Sequence, residues 1–388
     1  MRDPGGDCAF GILSVSEAFF AGVNYMESKI LTACPSVYAV GDEYQICALV
    51  NSECTMWVEV EGKCYFDHSN GILRSGRFLH IAHVPMTALD GAKKYTVYLR
   101  RINERKPYFT DFGNTESSEF TFKPCVKKEK YNIINLADAH SLVDEPIRSG
   151  SFFGDELDLL IMNGDIPNHC GNIEYFKAIY LISGGITKGA VPCIFSRGNH
   201  DMRGIYAEQL ADYTPTMNGR SYYTFKVGPI WGVVLDAGED KADTCPEYGH
   251  TVCCSAFRDE EDRFLDEVIE KGEYKNAGIR LIICHHPFTF RLDPPFDIEQ
   301  ERYAGWAKKL QKISPTAMLS GHLHELFAEN PGGAYDTFGA PCPVICTSLY
   351  RGDPGYHCSG AVTLSGDGID VVYHDSKGEI KGEVRLDQ

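Results

Sequence analysis

Two patterns of apolar and polar positions divide the chain. Between Val37 and Lys123, short runs rich in β-formers (44–50, 55–60, 78–83, 95–100 and 120–122) are punctuated by Gly, Asp, Asn and Pro. That spacing predicts an all-β sandwich of roughly 90 residues. From Tyr131 onward, apolar strand-like runs alternate with helical periodicity. Strands are predicted at 131–137, 157–162, 191–195, 280–284 and 317–319, a hairpin at 222–235 turning on Gly228-Pro229, and three or more strands within 344–386. Helices are predicted at 173–182, at 259–271 with Phe264, Leu265, Val268 and Ile269 on one face, and at 299–313 with Trp306 and Leu310 inward. The expected organisation is an N-terminal segment (1–34, with a short helix opening at 16–20), a β-sandwich (35–124), a charged, Pro-bounded linker (125–130) and an α/β domain (131–388).

The second region repeats one feature. Five apolar strands are each followed by Asp, His or Asn: Asp138-Ala-His140, Gly164-Asp165, Gly198-Asn199-His200-Asp201, His285-His286-Pro287 and Gly321-His322-Leu-His324. Taken alone, Gly198-Asn199-His200-Asp201 reads as a turn and a helix cap. In α/β folds, however, sites gather at the carboxyl ends of strands, where loops converge on one sheet edge. Five such endings would bring together at least three His, two Asp and one Asn. Carboxylate, imidazole and amide oxygen together suit divalent transition metals and lack the thiolates of a structural zinc site.

Composition changes the picture in three places. A length of 388 residues favours two domains, and 43% hydrophobic with 23% charged residues is ordinary for a globular protein. A net charge of −17 argues against a broad grip on nucleic acid or on an anionic membrane. The 15 cysteines form no CxxC pair, and several (Cys47, Cys193, Cys284, Cys346) sit in apolar runs as small core residues. With no basic-then-apolar leader at the start and no stretch as long as a membrane span, the expected compartment is the cytoplasm.

In their order and placement, the five clusters resemble the calcineurin-like metallophosphoesterase family over about residues 131–350. The resemblance implies an α/β (α+β) fold, a four-layer α/β/β/α sandwich preceded here by the small β-sandwich. It implies two divalent ions (Mn, Fe, Zn or Co), one held by Asp138, His140, Asp165 and His324, the other by Asp165, Asn199, His285 and His322. Asp165 would bridge them, and a metal-bridging hydroxide would attack a small phosphate mono- or diester. His200 would stabilise the transition state or protonate the leaving oxygen, and Asp201 would orient His200. Arg203 is a candidate phosphate contact or a surface arginine. His285 stands at the strand end as the family's ligand does, with His286 as the alternative. His169 either lines the pocket or is a plain loop residue; His68, His80, His83, His250, His357 and His374 read as structural or exposed.

A β-sandwich before such a domain also resembles purple acid phosphatases, but the motifs depart from theirs. Asp138-Ala-His140 stands where those enzymes carry Asp-x-Gly, and Gly164-Asp-Ile-Pro-Asn168 where they carry Gly-Asp-x-x-Tyr. The tyrosinate that colours them is missing, so a colourless enzyme is expected. Leu89 and Tyr95 resemble the tyrosine corner of fibronectin type III domains, with an ordinary half-buried strand tyrosine as the alternative. The competing functional readings are a non-catalytic metal-binding scaffold that engages partners and a mononuclear hydrolase.

Overall fold

The computed structural model describes residues 28–348 and 355–387; the helix expected at 16–20 lies outside them. Strands Lys130–Leu136, Leu159–Asn163 and Pro192–Ser196 run parallel, side by side. Their near-continuous apolar sequences follow from cover on both faces. Ile133, Leu159, Ile161 and Ile194 turn to one core, Ile134, Leu160, Met162 and Cys193 to another, with the two-residue period of a strand. A second sheet places Ile230–Leu235, Ile279–Cys284, Ala317–Ser320 and Val344–Thr347 parallel, flanked by antiparallel Tyr223–Val227 and Leu326–Glu329.

The two sheets share a core in which Ile133, Ile161 and Ile194 join Val234, Ile283, Leu319 and Ile345. Helices Asp144–Gly150 and Lys177–Thr187 cover the outer face of the first sheet through Ile147, Ile179 and Ile182. Helices Cys254–Lys271 and Gln300–Gln311 cover the second through Leu265, Val268, Trp306 and Leu310. The layering is therefore α/β/β/α, as expected.

The N-terminal strands join this architecture directly. Ser36–Val40 pairs in parallel with Pro192–Ser196, and Glu43–Leu49 and Leu79–Pro85 continue outward, giving one sheet of nine strands that ends at Ile380–Asp387 on its other side. Cys54–Val60, Lys63–Phe66, Lys94–Glu104 and Asp111–Thr121 form a separate four-stranded sheet. Its Met56, Val58, Val97 and Phe120 share a core with Val37, Tyr44, Ile46 and Val84. A two-layer β arrangement thus exists at 35–124, but one of its layers is an extension of the α/β sheet. Residues 125–130 do not separate two bodies: Cys125 is buried, and a Cβ added at Gly228 would lie 1.9 Å from the Cys125 carbonyl oxygen. The reason is physical. All five residues of Ser36–Val40 are buried, and a strand apolar on both faces needs cover on both.

Three local expectations change. Tyr95 donates its hydroxyl to the distant Gly189 carbonyl (3.0 Å), whereas a tyrosine corner bonds a few residues upstream. Met86–Ala92 is a short helix within the region expected to be all β. The helix expected from 259 begins at Cys254, because Asp243 accepts the Cys254 and Ser255 N–H groups at 2.9 and 3.1 Å. A cap supplied from eleven residues upstream lies outside any local start signal.

Candidate metal centre

Each of the five loops leaves the carboxyl end of a parallel strand: Lys130–Leu136, Leu159–Asn163, Pro192–Ser196, Ile279–Cys284 and Ala317–Ser320. The loops are knitted to one another. Asp138 N–H donates to Gly164 O (3.0 Å), His140 N–H to Asp165 O (3.0 Å) and Gly321 N–H to His285 O (2.9 Å). The knitting holds side chains in the sparsely populated left-handed region: Asp138 (φ 55°), His140 (44°), Asp165 (54°), His322 (71°) and His324 (55°). Non-glycine residues reach this region at a cost, and such strain concentrates at functional sites.

The two carboxylates are used alike. Asp138 Oδ2 accepts the His322 N–H (2.9 Å), and its Oδ1 faces His324 Nε2 (3.2 Å), His140 Nε2 (3.7 Å) and His285 Nε2 (3.9 Å). Asp165 Oδ1 accepts the His200 N–H (2.8 Å), and its Oδ2 faces His285 Nε2 (3.2 Å) and His200 Nε2 (4.0 Å). Each carboxylate is thus anchored by a backbone amide through one oxygen and turns the other inward. His285 Nδ1–H donates to the Asn163 carbonyl (2.6 Å), which fixes its tautomer and aims Nε2 at both carboxylates. Asn199 Oδ1 lies 3.0 Å from His322 Nδ1. A side chain at 198 is excluded, since its Cβ would lie 2.2 Å from Asp165 Oδ1.

These groups are buried: Asp138 is 0%, Asp165 1%, Asn199 2% and His285 1% exposed. The field they make is negative. Burial alone would lower the His285 imidazole, yet Asp165 and Asp138 together raise it to about 10. Burial would raise Asp138, yet His285, with His140 and His324, holds it well below the ordinary carboxylate range. Burial and neighbouring imidazoles hold His286 and His322 well below the ordinary histidine range, so both present neutral rings. Two inward carboxylates among imidazoles and an amide oxygen, in a field that favours positive charge, suit a divalent cation. Among the described residues, the sets able to hold a metal ion are Asp138/His140/His324, Asp165/His285/His322 and His140/Asp165/His200.

All seven expected ligand positions therefore meet, but the roles of Asp201 and Arg203 change. His200 Nδ1–H donates to the Asn168 carbonyl (2.7 Å), not to Asp201. Asp201 turns inward, where its Oδ2 accepts the Gly198 N–H (2.8 Å) and the Asp165 N–H (3.1 Å). His200 and Asp201 are adjacent in one tight turn, His200–Met202, and their side chains diverge. Burial and the Asp165 charge push Asp201 up to about 8. Arg203 is held by Glu239 through two contacts of 2.9 Å, with Asp240 and Glu247 each at 3.5 Å. Its Nη1 lies 3.4 Å from His200 Nε2, so it stands beside the histidine with its charge already matched.

The His286 ring lies tilted against that of His322 (centroids 3.9 Å apart), and its buried Nε2 has no hydrogen-bond partner. His169 is a loop residue whose Nδ1 accepts the Gly171 N–H (3.0 Å). His80 is buried against Asp67, His83 pairs with Glu43, and His357 is buried against Ser149 and Ala137. The sequence reading passed over what lies behind the centre. Asn163 Nδ2 donates to Asn135 Oδ1 (3.0 Å) and Leu319 O (2.9 Å), and Asn135 Nδ2 to Ser320 O (3.0 Å) and Thr347 Oγ1 (2.6 Å), bridging the two sheets. The available signal was an Asn near the carboxyl end of each of two strands.

The family model of calcineurin-like phosphoesterases matches residues 131–326. The chain belongs to this family. Its members hydrolyse phosphate esters with divalent metal ions, and this calcineurin-like phosphoesterase carries the Asp and His clusters such ions need. Among solved structures it is similar to the purple acid phosphatase PPD1 of yellow lupin, at 10% identity and a TM-score of 0.58, over 92% of this chain and 74% of that one. It is also similar to PhoD, at 11% identity and a TM-score of 0.56, over 94% of each chain. At these identities the likeness concerns the fold, and both alignments run through the N-terminal β layers. No curated protein matches the chain. Among the described residues, no helix is long and apolar enough to cross a membrane.

Proposed function

We propose that this phosphoesterase works with two metal ions, one held by Asp138, His140, Asp165 and His324, the other by Asp165, Asn199, His285 and His322. The observation that carries the reading is the convergence of Asp138 Oδ1 and Asp165 Oδ2 on His285 Nε2, at 3.9 and 3.2 Å, between two histidine sets. When bound, the ions would supply a water acidic enough to ionise near neutral pH and positive charge for the phosphoryl oxygens. His200 Nε2 faces the same point and would serve the leaving oxygen, its ring held by the Asn168 carbonyl and flanked by Arg203. Arg203, matched by three acidic residues, serves the position of His200 more than it serves a phosphate. Asn168 stands where purple enzymes carry tyrosine, and a colourless protein is expected.

A small pocket beside His286 and His322 mixes Phe288, Phe290, Phe296 and Phe338 with Asp240, Arg291, Asp297 and Gln300. The test combines metal analysis with turnover of p-nitrophenyl phosphate, its bis-ester and glycerol phosphate. Two ions per chain and turnover of at least one of these esters are expected; one ion per chain with full activity would defeat the dinuclear reading.

A further inference from the structure

The four-stranded sheet carries a feature that the phosphoesterase reading leaves unused. Lys94–Glu104 and Asp111–Thr121 form a hairpin of two eleven-residue strands, whose pairing slips at Arg100/Ile102 and again at Ile102/Glu104. At its tip Tyr108 is 83% and Phe109 97% exposed, with Phe112 at 58%. Phe109 also sits at φ 56°, a conformation bulky side chains seldom adopt. A second small hairpin, His68–Ser69 with Ile72–Leu73, is tied alongside: Arg105 Nη1 donates to Leu73 O (3.3 Å) and Ser75 Oγ (2.6 Å). It adds Ile72, 64% exposed. Among the described residues nothing covers these aromatic side chains, and exposed apolar side chains grouped in this way mark an interaction site.

The charge around the tip selects the occupant. Residues 100–112 hold Arg100, Arg101, Arg105 and Lys106 against Glu104 and Asp111, a local excess of cations in a chain of net charge −17. The expectation of no membrane contact rested on that whole-chain charge; the local count is opposite in sign, with Lys106 also paired to Glu104 at 3.0 Å. The tip is the loop between two paired strands with its aromatic rings exposed, so it suits insertion into a surface. We infer that this hairpin docks the protein, tip first, on a membrane surface bearing anionic phospholipid. Tyr108 and Phe109 enter the boundary between headgroups and acyl chains, and the guanidinium groups behind them meet lipid phosphates. The acidic remainder of the molecule is repelled, which confines contact to the tip.

The test is flotation of the full chain with vesicles of phosphatidylcholine alone, or with about one third phosphatidylserine. Binding is expected to the anionic vesicles only, and to weaken with salt. Tyr108→Ser/Phe109→Ser should lower it roughly tenfold, and Arg101→Glu/Lys106→Glu should abolish it, with unchanged circular dichroism and melting in both variants. Absence of flotation, equal flotation of either variant, or equal binding to both vesicle types would overturn the inference. So would a native dimer that the serine variant converts to a monomer, since the tip would then cover a second copy of the chain.

Discussion

The strand-end rim and the hairpin tip break the rule of burial in opposite directions. At the rim, Asp138 and Asp165 are almost fully buried with their charges kept. At the tip, Phe109 is almost fully exposed. Each departure is held by backbone in the left-handed region, and each has a cost that folding alone does not offset. The difference lies in what restrains them. The rim is fixed from five loops and from the Asn135–Asn163 bridge behind it, as preorganised chemistry demands. The tip hangs from one hairpin and one arginine, which suffices for a contact that needs adhesion and not ångström precision. Buried charge with convergent geometry points to catalysis; exposed apolar surface with local countercharge points to docking.

Five experiments would break or sharpen this contrast. Asp165→Ala should reduce hydrolysis of p-nitrophenyl phosphate by well over the roughly 100-fold typical of losing a residue behind metal ligands, and should lower bound metal. Unchanged turnover would sink the proposed centre. His200→Ala should cost roughly 100-fold or more in kcat with metal content unaltered; a loss of metal instead would reassign His200 as a ligand.

Behind the Asp138 loop, His357 gives a pH signature. Burial lowers its imidazole to about 4, against 6.5 when unfolded. A group depressed in the folded state contributes stability in full above its unfolded pKa and loses it as pH falls through the folded value. Stability should therefore fall by about 3 kcal/mol from pH 6.5 to 4, and chemical denaturation of His357→Gln should show a flatter slope in that window.

Asn135→Leu should cost about 1–3 kcal/mol, since it removes the acceptor of an Asn163 Nδ2–H and the donor to the Ser320 carbonyl and Thr347 Oγ1 in the buried core; a neutral melting result would mean the bridge is dispensable. At the other extreme, Tyr108→Ser/Phe109→Ser should leave stability within about 0.5 kcal/mol. A large drop in the melting temperature would show that the tip is structural after all.

Much of the rim was legible because its signal is local. A strand ending in Asp, His or Asn is visible within a few residues, and its repetition five times marked the candidate site and, through the family resemblance, the four layers. What failed were statements about partners distant along the chain. Asp201 adjoins His200 in sequence but faces the Gly198 and Asp165 amides, and the His200 ring goes to Asn168. Arg203 was read as available because Glu239, which matches its charge, lies 36 residues away. The linker at 125–130 looked like a boundary because composition cannot show that Ser36–Val40 pairs with Pro192–Ser196.

By itself the sequence determined which residues alternate into strands, which strand ends carry ligand-type side chains, and hence the chemistry open to the protein, because periodicity and residue type act over a few positions. Only the tertiary structure decided the rest: that the N-terminal strands extend the catalytic sheet, that Asn163 aims His285 and Asn168 aims His200, and that the aromatic residues at 108 and 109 end in solvent. Hydrogen-bond direction, tautomer and exposure depend on what the rest of the chain brings into contact, and no window along the sequence contains that information.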